Sequence, residues 1–417
     1  MSLVLAGLFI LFLLMGLPVA IVIGAAAMSA LNLGGVPLMV VPQQMFSGIN
    51  SFALVAVPMF VLAGDIMAQG EISKRLVAFA DSMFGFIKGG LSVVSVLAGM
   101  FFAAISGSGA ATTAAVGASL VPELKRKGYD PASAASLIAA SGTIGVVIPP
   151  SVPIIIYAVI AQESVKELFL SGFIPGLAMG VGLIAVALIQ GHRRAYPRGT
   201  ALSLATIGRT LVSASWGLMA PLIILGGIFS GLFTPSEAAV VAVNYAVFVS
   251  FFIYRDLTLS GLYRIVLRAG VTTAVIMFVI AASSVLSWAL ASWQVPGAIA
   301  SFALSLSGNI YVLLILIMAL ILITGVFLET ASALIILTPM LLPLAAQLGI
   351  DTVHFGIIIV VGLAIGMVTP PVAINLFVAS TTANVPIERI ARAVLPYLLV
   401  LIVVYILIAF VPLLLAL

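Results

Sequence analysis

Cysteine is absent from all 417 residues. That excludes disulfides, thiolate metal sites and cysteine nucleophiles. Charge is nearly as scarce, with Asp, Glu, Lys and Arg making up 7% of the chain. A soluble domain needs more than that to cover its surface. Histidine occurs only as His192 and His354. Each falls near an expected helix end, where it reads as an interfacial side chain. No His, Asp and Glu cluster has metal-ligand spacing, and no serine pairs with a histidine in the apolar runs. The residues of an intramembrane enzyme are therefore missing. The net charge of +4 implies no acidic partner such as nucleic acid, because basic loops on one side of a membrane account for it.

Apolar sequence is abundant, at 64% of the chain. Runs long enough to cross a lipid bilayer recur from end to end, which predicts an all-α, polytopic membrane protein. Met1 leads into the first run with no basic flank and no small-residue cleavage site, so that run reads as a span rather than a signal peptide. Nine full spans are expected, near 2–31, 51–69, 131–160, 169–191, 211–230, 236–254, 270–294, 353–382 and 393–413. Two further segments, about 90–125 and 309–346, are too long for one straight crossing and are interrupted by small or polar residues. Two half-length helices joined at a tip fit each one, provided the tip is buried in protein or lines a wet cavity. Glu71–Lys88 sets Ile72, Leu76, Phe79 and Met83 against Lys74, Arg75 and Asp81. It fits either an interfacial connecting arm or an ordinary solvated helix.

Basic residues set the orientation. Lys74, Arg75 and Lys88 follow the second span, and Lys125, Arg126 and Lys127 close the first hairpin. Arg193, Arg194, Arg198 and Arg209 form a third group, Arg255, Arg264 and Arg268 a fourth, and Arg389 and Arg392 precede the last span. Lys166 alone falls on the other side. The positive-inside rule then places the N-terminus in the cytoplasm and the C-terminus outside. The first hairpin opens from the cytoplasm and the second from outside. No lysine or arginine is expected at the midplane. Asp65 reads as interfacial, and Trp288 and Trp293 as interface anchors.

Displaced by 221 residues, the chain matches itself without a gap. Pro122 falls on Pro343, Gly128 on Gly349, Asp130 on Asp351, Gly145 on Gly366, Pro149–Pro150 on Pro370–Pro371, and Pro175 on Pro396. Repeated backbone-breaking residues mean that the backbone does the same thing twice. Residues 1–210 form one copy and 231–417 the other, with a linking span at 211–230. Each copy crosses the membrane an even number of times, so the linking span turns the second copy upside down. Inverted repeats with interrupted helices are an architecture of secondary transporters.

The interruptions carry the candidate chemistry. GTIGVVIPPS (142–151) and AIGMVTPPVAIN (364–375) put Gly and Pro-Pro within long apolar stretches. Unwinding there frees carbonyl oxygens for a cation, while the half-helix N-terminus beyond favours an anion. The first tip, SGSGAATT (106–113), offers glycines that permit close approach and hydroxyls of the kind hard cations prefer. Small-residue helix packing is the plainer account of Ala110 and Ala111. The second tip, TGVFLETAS (324–332), holds Glu329, an acid deep in apolar sequence. It has three possible roles: ligating a cation, carrying a proton, or satisfying backbone N–H groups. A role at a cation site is favoured. Pairing each tip with its break gives one sodium site from Ser106, Gly107, Ser108, Thr143 and Gly145. A second comes from Thr324, Gly325, Glu329, Gly366 and Thr369. The core has too few titratable groups for proton coupling. Substrate would lie between the sites, with Thr112, Thr113, Ser151 and Asn375 as donors.

SGSGAATT, GTIGVVIPPS, TPPVAIN and above all GGIFSGLFTPSEAA (226–239), followed by Asn244 and Tyr245, resemble the large membrane subunit of TRAP (tripartite ATP-independent periplasmic) transporters, a DctM-like branch of the ion transporter superfamily. The resemblance covers nearly the whole chain. It implies an elevator, with a scaffold and a mobile transport domain holding both hairpins and both broken spans. It also implies a bacterial inner-membrane location, a small four-helix membrane subunit and a periplasmic substrate-binding protein. Transport would be driven by sodium and would carry organic acids such as C4-dicarboxylates, sialic acid or similar carboxylates. No four-span block precedes the repeats, so the unfused form is expected. The Pro-Pro breaks alone also fit a stand-alone ion-coupled anion symporter of the same superfamily. A channel fits less well, because closed hairpins in an inverted repeat suit alternating access.

Overall fold

Glycine, proline and short polar residues decide where each helix starts and stops. The computed structural model describes residues 1–198 and 202–415, and its regular structure is helical throughout. α1 (Ser2–Leu14) and α2 (Val19–Leu33) pack side by side. The chain turns between them at Gly16, with φ +75°, and at Pro18, which has no N–H to give. The single span expected over 2–31 is therefore two short helices. α3 (Val40–Ile49), which the sequence did not reveal, meets α4 (Ala56–Gln69) through a 3-10 turn at Phe52–Val55 and a bend of 65°. α5 (Glu71–Phe84) is an amphipathic helix that buries Ile72, Leu76 and Phe79.

α6 (Gly90–Ser106) and α7 (Gly109–Arg126) pack together as a hairpin. Gly107 makes the tip turn with φ +61°, a conformation that costs glycine little. Asp130 caps α8 (Pro131–Gly142), which tightens into a 3-10 turn at Thr143–Val146 and stops at the prolines. Ser151 caps α9 (Val152–Ala161), and α10 (Val165–Arg193) follows. α11 (Leu204–Phe229) covers the segment expected to link the two copies at 211–230. α12 (Pro235–Phe248) starts at a capping box of Thr234 and Glu237 and ends in a π turn at Val249–Ile253.

α13 (Leu259–Ser292) begins well before the expected 270, because Thr258 caps it through the Gly261 N–H at 3.1 Å. α14 (Val295–Leu306) was not anticipated. The second hairpin is α15 (Ile310–Phe327) with α16 (Thr330–Gln347). The second broken element is α17 (Thr352–Gly366) with α18 (Ile374–Ala383), and α19 (Ile387–Ala393) and α20 (Leu395–Leu415) close the chain. Seven helices in the described residues are long and apolar enough to cross a bilayer, or eight counting the bent α3–α4 pair.

Helix boundaries recur at the 221-residue spacing. α7 at 109–126 maps onto α16 at 330–347, and the start of α8 at 131 onto the start of α17 at 352. Both Pro-Pro bonds, Pro149–Pro150 and Pro370–Pro371, are cis. Asp130 and Asp351 cap equivalent helices through the N–H groups of Ser133 (2.8 Å) and His354 (2.9 Å). Partial burial pushes the Asp130 carboxyl up, but the Ser133 hydrogen bonds, Arg194 and Arg389 outweigh that and hold it below its ordinary value.

Two groups of helices emerge from the packing. α2, α3, α4, α12 and α13 pack mainly on one another, and α11 packs on α12 as well as on α5. α6–α10 and α15–α20 form the second group, with α7 against α8 and α18, both α15 and α16 against α17, and α10 against α20. α5 touches α11 on one side and α6 on the other, and α14 joins α13 to α16 in the same way.

Candidate functional site

Each tip rests on the broken element of its own half. At the first, Ser106 ends α6 and its Oγ lies 2.8 Å from Thr112 Oγ1. Ser108 is the N-cap of α7, accepting from the Ala111 N–H at 3.4 Å. The Val152 N–H beyond the break donates to the Gly107 carbonyl at 3.3 Å, which ties tip to break. A methyl on Gly145 would sit 2.6 Å from Thr112 Oγ1 and 2.7 Å from the Ser108 carbonyl oxygen. Only glycine permits that approach. The structure thus brings Ser106, Gly107, Ser108 and Gly145 together. Thr143, two residues before Gly145, is buried and donates to the Ala140 carbonyl at 2.7 Å.

The second contact is tighter. A methyl on Gly366 would fall 2.4 Å from the carbonyl carbon of Gly325 and 2.6 Å from its Cα. Thr324 donates back to Leu320 O and Thr369 to Ile365 O, each at 2.8 Å. Their hydroxyl oxygens keep lone pairs for a ligand. Glu329 is the N-cap of α16, and its Oε2 accepts from the N–H groups of Ala331 (2.9 Å) and Ser332 (3.2 Å). Of its three possible roles, satisfying the tip backbone is the one seen directly. The carboxylate also meets the positive end of the helix. The hydroxyls, carboxylate and carbonyls named at the two contacts offer oxygens, and the described residues hold no group of three or more His, Cys, Asp or Glu. Such a set suits a hard cation such as sodium.

Both tips open onto a cavity of about 620 Å³. Residues 106–111 and 329–332 line one wall, and α2, α4 and α13 line the other. Asp65 on α4 and Arg268 on α13 face the same space. This corrects two sequence expectations: Asp65 is a cavity residue, and Arg268 belongs to a long helix rather than a basic loop. Reading α13 from 270 discarded its first turns because they are charged. The spacing 264, 268, 272, 275 was the available signal. Ser332 was also missed, and it lines the cavity beside Glu329.

Thr112, Thr113, Ser151 and Asn375 are fully buried behind the tips and do not line the cavity. Ser151 donates to the Val146 carbonyl at 2.6 Å. Thr113 and Asn375 converge on Gly142, where a methyl would lie 1.9 Å from Thr113 Oγ1 and 3.1 Å from Asn375 Nδ2. Asn375 reaches from the second broken element to Ala139 O on α8 at 3.2 Å. Its Oδ1 has no partner among the described residues.

Residues 6–414 match the family model described as "Tripartite ATP-independent periplasmic transporter, DctM component". The isethionate TRAP transporter permease protein DctMQ of Oleidesulfovibrio alaskensis is 41% identical over 412 residues, which is 98% of this chain and 65% of that relative's length. The C4-dicarboxylate TRAP transporter large permease protein DctM of Pseudomonas aeruginosa is 40% identical over 369 residues, 88% of this chain and 86% of that one. In fold, the chain resembles the crystal structure of the YdaH transporter of Alcanivorax borkumensis, with a TM-score of 0.66 over 89% of this chain and 88% of that one, at 15% identity.

Proposed function

The chain belongs to the DctM-component family of tripartite ATP-independent periplasmic transporters, and from that premise we propose that it is the substrate-translocating large subunit of a sodium-driven importer of organic acids. It works in the bacterial inner membrane beside a small four-helix subunit, and a periplasmic substrate-binding protein delivers the substrate. The similar permeases named for isethionate and C4-dicarboxylates favour an acidic solute. C4-dicarboxylates, sialic acid and similar carboxylates all fit that class.

The observation that carries this reading is the pairing of each tip with its own break at one wall of a shared cavity. Sodium bound where Ser106, Ser108 and Gly145 meet, and where Gly325 and Gly366 meet, would lock each hairpin to its broken helix. The cations would also offset the charge of an organic acid held between the tips, together with the helix N-termini. Substrate contact falls first to the groups that open on the cavity, Ser106, Ser108, Glu329 and Ser332. Thr112, Thr113, Ser151 and Asn375 hold the surfaces beneath.

The two packing groups suit an elevator. Helices α6–α10 and α15–α20 would move as one body carrying both re-entrant hairpins, while the remaining helices stay fixed and α5 and α14 serve as arms. With its basic ends in the cytoplasm, the N-terminus is cytoplasmic and the C-terminus periplasmic. The second repeat is the inverted copy of the first.

Reconstitution with the small subunit tests the reading. Uptake of labelled organic acids that needs both an inward sodium gradient and the periplasmic protein is expected. Sodium-driven uptake without that protein would establish a stand-alone symporter instead. A steady ionic conductance would establish a channel.

A further inference from the structure

An arginine within a spanning helix is costly unless something compensates it. α13 has 34 residues and is about 51 Å long, against a hydrocarbon core of about 30 Å. Arg268 lies some 14 Å from its first residue, so a centred helix puts it just inside the hydrocarbon. It escapes lipid by facing the cavity. It is the one basic residue among the described residues lining that space, and it has neither an ion pair within 4.0 Å nor a hydrogen bond among them. Asp65 and Glu329 are the acids that share the cavity.

We propose that Arg268 is a carboxylate-binding residue on the fixed wall of the cavity, a second station for the organic acid opposite the tips. The inference rests on the reading that the solute is an organic acid. A guanidinium presents a planar fork that matches a carboxylate with two parallel hydrogen bonds. Glu329 on the other wall offers that carboxylate no counter-charge, so the basic group of the cavity lies at α13 alone. At this station one carboxylate pairs with Arg268, and the rest of the solute extends toward the tips. Asp65 stands on the fixed wall too and competes for Arg268, which keeps the station weak enough for release.

The absence of cysteine supplies a direct test. Val275 lies two turns along α13, lines the same cavity and is 57% exposed. In the full chain in liposomes, Val275→Cys gives one thiol whose modification rate can be followed with an anionic and a cationic methanethiosulfonate. The ratio of anionic to cationic rate should fall about 10-fold in Arg268→Gln and recover in Arg268→Lys. Millimolar lactate, succinate or gluconate should slow the reaction, their neutral amides should not, and Arg268→Gln should abolish the protection. An unchanged ratio, or protection by none of the three acids, overturns the proposal. Neither readout requires transport. Absence of sodium-driven uptake by the unaltered complex would instead overturn the functional reading.

Discussion

Replacing Gly366 with alanine tests the proposed second cation site at its narrowest point. The added methyl would meet the Gly325 carbonyl carbon at 2.4 Å, where ordinary contact begins near 3.4 Å. The two backbones must therefore part by about 1 Å (3.4 − 2.4) somewhere near the contact, because no side-chain rotation can relieve a clash with main chain. Overpacking of this kind costs about 1–3 kcal/mol. Hard-cation sites hold their oxygens within a few tenths of an ångström, so most of that cost should fall on the sodium-bound state. A loss of about 1–3 kcal/mol is a weakening of roughly 5- to 150-fold. The assay is the melting temperature of the purified chain across a sodium series, with potassium as control, since a ligand stabilises the state it binds. The unaltered chain should melt higher as sodium rises, and Gly366→Ala should need far more sodium for the same gain. Gly226→Ala is the comparison. Its methyl meets nothing within 4 Å, and alanine favours a helix by about 0.8–1 kcal/mol, so its sodium response should be unchanged. A normal sodium response in Gly366→Ala would refute the reasoning.

At the first site, Ser106→Ala should raise the half-saturating sodium concentration in uptake, because it removes both a candidate ligand and the contact with Thr112 Oγ1. A normal sodium dependence would remove Ser106 from the site. Glu329→Gln keeps an oxygen for the Ala331 and Ser332 N–H groups but removes the charge, whereas Glu329→Ala also loses the cap, worth about 1 kcal/mol. Gln should therefore alter uptake while leaving the melting temperature nearly intact, and Ala should lower both. The Asp130 carboxyl is held below its ordinary 3.8, so the stability it provides is full above that value and is lost as pH falls through its lower folded value. Asp130→Asn should melt lower than the unaltered chain near neutral pH, and the gap should narrow as pH falls below 3.8. A gap that widens in acid would contradict the capping account.

The limits of the paired helices and of the breaks were legible because backbone chemistry wrote them. Pro149–Pro150 and Pro370–Pro371 stop helices in any context, and the expected hairpin limits of 90–125 and 309–346 fall within a residue or two of α6–α7 and α15–α16. Elements that hydropathy could not separate were lost. The run over 2–31 hides a turn that only Gly16 and Pro18 betray. α14 sits between two stronger apolar segments, although the repeat places it opposite the arm α5 and would have found it. The meeting of Gly325 with Gly366 followed from pairing tip with break. The cavity did not, because its second wall is drawn from α4 and α13, which are distant in sequence from both tips. Arg268 and Asp65 looked like charges at span ends, and only packing shows which space they enter.

Ser108 and Glu329 are 221 residues apart and cap equivalent helices, α7 and α16. The two halves share a backbone plan, yet at this one pair of positions one has a neutral hydroxyl and the other a carboxylate. A solute held between identical caps could bind equally well in two orientations related by half a turn. Between these caps it would not, because Ser108 and Glu329 differ in chemistry and exchanging the solute's ends changes what each end meets. A duplicated scaffold thereby acquires a direction at its centre, and a chiral or unsymmetrical acid meets a site with a distinct head and tail.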